Sequence, residues 1–191
     1  EPLGIVGEPR TCHVDPSDES FAETKKYLAS QNLESKTLIG LFLGAGHPAR
    51  RWDVENFVEL SLRLTANNQV RVLMLLGPEE RDLRHGLDEK VRDSAIIVPE
   101  MTLEKFFALI SQLKVIVSGD TGPMHLAAAA GAPSLVLFSA ESDPDLCAPR
   151  PGAQGTKVTV LRKPDLLALS SDNTNAAGFY SVVVPDRKSV V

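Results

Sequence analysis

The sequence predicts an α/β domain built on a doubly wound, mostly parallel sheet. Three observations predict it. Short aliphatic or β-branched runs recur between Thr37 and Leu161, alternating with stretches of helical periodicity. Three of these runs end in polar or Gly-containing turns, at Gly44-Ala45-Gly46, Gly77-Pro78 and Ser118-Gly119-Asp120. The stretch KVIVSGDTGPMHLAAAAGAPSLVLF, residues 114–138, holds one whole strand–turn–helix–strand unit. Its turn falls at the carboxyl end of a strand, where open α/β sheets bind ligands.

The elements follow in chain order. Residues 1–15 are rich in Pro and Gly and read as a linker, or as the tail of a preceding unit. A helix is expected over 17–30, with Asp15 or Ser17 as cap and Phe21, Tyr27 and Leu28 as a sparse apolar face. Residues 37–43 form a strand that stops at the first glycine turn. Asp53 caps a helix whose Val54, Phe57, Val58, Leu60, Leu62 and Leu64 make an apolar stripe, and Asn67-Asn68 ends it. A strand over 70–76, a charged helix over about 79–92 and a short strand over 95–98 come next. Thr102 caps a helix running through Leu113, with Glu104 suited to its dipole.

In the central unit, Val115, Ile116 and Val117 read as a buried parallel strand. Thr121 or Gly122 caps a helix that takes Pro123 into its first turn, where a missing N–H costs nothing. Gly131, Ala132 and Pro133 stop that helix, and 135–138 is the next strand. Beyond it come a Pro-rich loop over 139–155, a strand over 157–161, an exposed loop over 172–178 and a last short strand over 180–184. No internal repeat of solenoid period is present.

Composition narrows the function classes. A chain of 191 residues is long enough for a substantial core and short for two full domains. Its 43% hydrophobic and 24% charged residues are those of an ordinary globular protein. A net charge of -5, with no basic run and few aromatics, argues against a nucleic-acid groove. Cys12 and Cys147 lack metal-ligand spacing and fit a reducing compartment. His47 and His85 have no partner at ligand spacing, and His13 beside Cys12 is no metal site by itself. No apolar run approaches the ~20 residues of a membrane span, and no signal-peptide pattern opens the chain. It begins with EPLGIVGEPR rather than Met, as expected for an interior cut from a longer protein.

In a parallel sheet the three polar turns share one edge and can converge on one ligand. At Ser118 to His125, a helix N-terminus offers unpaired N–H groups and a positive dipole end, which favour an anion. Gly119 and Gly122 admit the ligand to the backbone, Thr121 adds a hydroxyl, and His125 brings an imidazole to the first turn. Asp120 would repel a phosphate, so it serves a sugar or ribose hydroxyl, or the Thr121 and Gly122 amides; alternatively, Asp120 and Thr121 simply cap the helix. In the turn GAGHPARRW, Gly46 and its neighbours give free amides, and Arg50 and Arg51 suit bidentate phosphate binding, unless they are a solvated pair at a helix start. Trp52 is expected to pack under the following helix. Glu79 and Glu80 stand where a ribose hydroxyl acceptor is wanted, or are exposed helix-leading carboxylates.

These residues carry a resemblance. GAGHPARRW, then LLGPEERDL, then VPEMTLEKFFALISQLKVIVSGDTGPMHLAAAAGAP resemble the carboxyl-terminal half of glycosyltransferase family 9, the ADP-heptose:lipopolysaccharide heptosyltransferases. The likeness covers roughly residues 38–138, and SGDTGPMHLAAA is its most specific part.

The resemblance implies a GT-B architecture of two Rossmann-like domains around a cleft, with residues 16–191 as the three-layer αβα donor-binding domain. Asp120, Thr121, Gly122 and His125 match the family's contacts to the donor diphosphate and sugar, with Gly46 on the same side. Arg50 stands where family members usually carry Lys and would neutralise the diphosphate. Glu80, or Glu79 if the register slips, matches the acidic nucleoside contact, and Met101 the residue beside adenine. The implied reaction is an inverting in-line displacement without metal or other cofactor. The donor is a nucleotide sugar such as ADP-heptose. The acceptor is a lipid-linked sugar of the lipopolysaccharide core, held by the amino-terminal domain. The expected setting is cytoplasmic, with the parent peripheral to the inner face of the inner membrane.

The chain departs from the pattern at several points. The acceptor loop and the base-bearing domain are absent, so no residue here is nominated as the catalytic base, and the fragment is expected to be inactive alone. Ser139-Ala140-Glu141 replaces the usual Gly-Pro-Thr. That acid and the variable tail point to the alternative, a nucleotide-binding or structural module without transferase chemistry. A dinucleotide oxidoreductase is a weaker reading, because GAGHPAR has Ala49 at the third glycine of G-x-G-x-x-G.

Overall fold

The computed structural model describes residues 13–47, 50–139, 142–149 and 156–162. Six strands form its single sheet: β1 (Thr37–Phe42), β2 (Val70–Leu75), β3 (Ile96–Ile97), β4 (Val115–Gly119), β5 (Ser134–Phe138) and β6 (Val158–Arg162). Every pairing is parallel and the order is β3-β2-β1-β4-β5-β6. This is the strand order of the doubly wound dinucleotide-binding fold, whose winding reverses between β1 and β4.

The strands read as continuous apolar runs because both sheet faces are covered. Alternate residues go to opposite sides. Leu38, Phe42, Leu73, Leu75 and Ile116 join one core, capped by α1 (Asp18–Ser30), α5 (Leu103–Ile110) and α6 (Gly122–Ala129). Ile39, Leu41, Leu43, Val72, Met74 and Val117 join the other, against Phe57 and Leu60 of α2 (Val54–Thr65) and Leu87 and Val91 of α4 (Leu87–Val91). Across the first of these layers Gln112 donates to the buried Thr24 hydroxyl at 2.7 Å, tying the loop after α5 to α1.

Local signals explain the ends. Ser17 caps α1, accepting from Ser20 N–H at 3.3 Å. Two helices close with a left-handed residue. Asn32 (φ 56°) follows α1, where Leu33 N–H bonds back to Leu28 O; Gly131 (φ 72°) follows α6, where Ala132 N–H bonds back to Ala127 O. Both are Schellman closures, and Leu28 and Leu33 share the same core as the motif's apolar contact.

Several expectations need correction. The charged helix over 79–92 is broken into a 3₁₀ turn (Pro78–Glu80), α3 (Arg81–Arg84), α4 and a further 3₁₀ turn (Arg92–Ser94). Gly86 adopts φ 77° at the break. The strand over 95–98 shortens to Ile96–Ile97 at the sheet edge. The helix capped by Thr102 ends at Ile110, not Leu113, and Leu113 instead packs into the core. The loop over 139–155 contains α7 (Pro144–Cys147), with Asp143 accepting from Asp145 N–H at 2.9 Å. Val14, assigned to the linker, donates to Ala129 O at 3.0 Å. The loop over 172–178, the strand over 180–184, Cys12 and the Ala140-Glu141 departure lie outside the described residues.

Candidate functional site

The turn after β1 and the turn after β4 meet at the reversal point, because β1 and β4 are neighbours with Phe42 opposite Ser118. Their backbones pass closely: a Cβ on Gly119 would stand 3.4 Å from the Arg50 carbonyl oxygen. Arg50 Nη1 donates to Asp120 Oδ2 at 3.1 Å. In this crevice Asp120 is only 7% exposed, whereas the Arg50 side chain keeps 40% of its surface open.

This bears on two alternatives about local roles. Thr121 is the N-cap of α6, yet its side chain makes no cap bond, and Asp120 turns to Arg50. Neither side chain is spent on capping. Arg50 and Arg51 are each ion-paired, Arg50 with Asp120 and Arg51 with Glu80, whose Oε1 lies 3.5 Å from Arg51 Nη2. Trp52 packs edge-on against Phe57 of α2, ring centres 4.8 Å apart, as expected.

Beside the crevice opens a cleft of about 470 Å³, within the usual range for small-molecule sites. It brings together Gly46, Glu79, Glu80, Met101, Thr121 and Gly122 from four separate turns. Phe42, Phe106, Leu126 and the 67% exposed Leu103 make an apolar wall. Phe42 and Phe106 meet edge to face at 6.0 Å. The start of α6 lines the cleft too: Pro123 has no N–H and Met124 N–H bonds back to Thr121 O at 3.1 Å, so the N–H groups left without a partner inside the helix are those of Thr121 and Gly122.

Of the expected site residues, Arg50 and Asp120 stand next to this cleft rather than in its wall, and His125 is exposed on the first turn of α6 outside the lining. Glu79 is exposed, whereas Glu80 is buried at 4% and accepts from Gly77 N–H at 3.0 Å. The reading of both as exposed helix-leading carboxylates therefore fails for Glu80. His47 and His85 are exposed. Among the described residues no three His, Cys, Asp or Glu side chains gather as metal ligands.

Sequence reasoning missed the rim. Glu100 lines the cleft and is gripped by Arg81 through two bonds, Nε to Oε2 at 3.2 Å and Nη2 to Oε1 at 2.7 Å. Arg84 adds a 2.6 Å bond to Val98 O. The Arg81 hydrogen bond holds the Glu100 carboxyl below its ordinary value. No motif announces this pair, since its members lie on different elements.

Comparison with known proteins agrees with the fold. The family model of glycosyltransferase family 9 (heptosyltransferase) matches residues 10–166. Lipooligosaccharide heptosyltransferase 2 of Haemophilus influenzae is 28% identical over 136 residues, which is 68% of this chain and 39% of that protein. The glycosyl transferase family 9 structure from Veillonella parvula superposes with a TM-score of 0.77 at 20% identity, covering 89% of this chain and 48% of that one. The E. coli heptosyltransferase WaaC, solved with ADP, gives a TM-score of 0.60 at 22% identity, covering 85% of this chain and 47% of that one. These two structural likenesses show the shared fold. The chain spans about half, or less, of the length of these relatives. The alternative of a nucleotide-binding or structural module without transferase chemistry is not favoured by the family match and the curated heptosyltransferase relatives. With the matched region covering most of its length, this chain belongs to glycosyltransferase family 9, the heptosyltransferase family.

Proposed function

We propose that this chain is the donor-binding half of an inverting heptosyltransferase-type enzyme, and that its cleft holds a nucleotide sugar, ADP-heptose foremost. One observation carries the reading. A nucleoside-sized apolar cleft ends at an open helix N-terminus, with an arginine held beside it. Apolar walls take a base, while a positive dipole end and a guanidinium take a diphosphate. Relatives named as heptosyltransferases, one of them solved with ADP, support the choice of nucleotide.

In this arrangement the adenine lies along Met101, Leu103 and Phe106, and the ribose reaches the carboxylates of the β2 turn. The diphosphate meets Gly46, Thr121, Gly122 and Arg50. Asp120 and His125 face the transferred sugar. Catalysis is a single displacement at the anomeric carbon: the acceptor hydroxyl attacks as a base takes its proton, and the nucleoside diphosphate departs with the bond's electrons. The base and the lipid-linked acceptor belong to a partner domain. This chain contributes the stabilisation of the leaving diphosphate, by Arg50 and the α6 amides in place of a metal. The whole enzyme works on the cytoplasmic side, peripheral to the inner membrane.

Calorimetric titration with ADP, UDP and GDP, with and without EDTA, tests this. Selective ADP binding, indifferent to EDTA and weakened about tenfold or more in Arg50→Ala, is expected from loss of one charge-assisted contact. Equal affinity in Arg50→Ala, or no preference for ADP, contradicts it.

A further inference from the structure

Three carboxylates border the cleft, and their settings differ. Glu79 and Glu100 are exposed, whereas Glu80 is 4% exposed. Both Glu80 oxygens already have protein donors. Oε2 accepts Gly77 N–H at 3.0 Å on the β2 turn, and Oε1 lies 3.5 Å from Arg51 Nη2 on the β1 turn. Two glycines make room for this carboxylate. A Cβ on Gly44 would stand 2.5 Å from Oε1 and 2.6 Å from Oε2, and one on Gly77 2.7 Å from Oε2. The Glu80 side chain therefore fills the gap between the turns that follow β1 and β2, touching both. Glu79, one residue earlier, lines the cleft and carries no hydrogen bond or ion pair among the described residues.

We propose that Glu80 is a positioning residue, a buried brace that sets the β1 turn against the β2 turn, which leaves to Glu79, rather than Glu80, the nucleoside contact implied by the resemblance. The assignment rests on reading the cleft as a nucleotide site. A brace fixes the spacing between Gly46 and Pro78, so its loss weakens every nucleotide alike. A ribose contact is felt only by ligands that carry the hydroxyl. Gly44 is glycine for the same reason: a methyl group there collides with a buried carboxylate, which cannot leave without unpairing Gly77 N–H and Arg51.

Two measurements on the full chain test this. The first compares ADP with 2′,3′-dideoxy-ADP by calorimetry. The native chain is expected to prefer ADP by about tenfold, the worth of one hydrogen bond to a charged acceptor. Glu79→Ala brings that ratio close to one, while Glu80→Gln weakens both nucleotides by a similar factor and preserves it. The reverse pattern, a ratio lost in Glu80→Gln and kept in Glu79→Ala, overturns the proposal. The second needs no ligand. Gly77 amide exchange speeds up in Glu80→Ala, and Gly44→Ala destabilises the native chain more than it destabilises Glu80→Ala, because the obstructing carboxylate is gone. Strictly additive effects of Gly44→Ala and Glu80→Ala overturn the brace. Should the native chain bind neither nucleotide, the nucleotide reading of the cleft falls, and the double-mutant cycle still decides the brace.

Discussion

At the scale of single residues, the site is built from cross-links between turns that are distant in sequence. Arg50 and Asp120 are 70 positions apart, and Arg51 and Glu80 are 29 apart. The sequence places each residue on a strand-end turn, but pairing is a property of which strands become neighbours, so the partners were not legible. Glu80 illustrates this: its spacing from Gly77 suits a carboxylate reaching back to a helix-start amide, yet Gly77 has no side chain to complete the motif. The Arg81–Glu100 clamp at the rim gives a pH prediction. Glu100 is held below its ordinary value of 4.5, so the folded state favours the carboxylate. That contribution is present above the unfolded-chain value and disappears as pH falls through the folded one. Glu100→Gln should therefore flatten the fall in stability on acidification below about pH 5, read from urea unfolding at a series of pH values. An unchanged slope would show that the clamp is not coupled to folding. Both groups are solvent-exposed, so high salt should erase the difference.

Among the elements, the strands were legible and the short helices α3, α4 and α7 were not. The central strand β1 declares itself by an aliphatic run that stops at a glycine turn, as at residues 37–44. The charged segment misled for a physical reason: Leu83, Leu87 and Val91 recur every four residues and all pack on the same core, so the helical period runs through the break at Gly86. The α7 turn did carry a signal, Asp143 followed by Pro144 at the first helical position, that the surrounding prolines obscured. The two ends of α6 make contrasting predictions. Gly131 holds φ 72° in a Schellman closure, so Gly131→Ala should lower stability by about 1–2 kcal/mol in denaturant unfolding. Thr121 is an N-cap whose hydroxyl caps nothing, so Thr121→Ala should fall short of the ~1 kcal/mol usual for a lost cap while still weakening ADP binding. A full cap-sized loss of stability with unchanged ADP affinity would assign the hydroxyl to the helix rather than to the ligand.

Over the whole molecule, strand order explains why the site lies where it does. With β1 and β4 adjacent at the centre of a β3-β2-β1-β4-β5-β6 sheet, the chain leaves β1 toward one edge and β4 toward the other. The turns after them diverge and leave a crevice that no crossover covers. The alternation of strands and helices made the parallel sheet legible, and the resemblance placed the donor site at these same turns. The cleft's apolar wall was less so, because Phe42, Leu103, Phe106 and Leu126 come from a strand and two helices and read separately as core or surface. A crystal structure of this chain with ADP tests the account most directly. The diphosphate is expected within hydrogen-bonding distance of the Thr121 and Gly122 amides and the Arg50 guanidinium, with adenine against Met101. ADP bound elsewhere, such as the groove between Leu62 of α2 and Arg92 beyond α4, with the β1–β4 crevice empty, would contradict it.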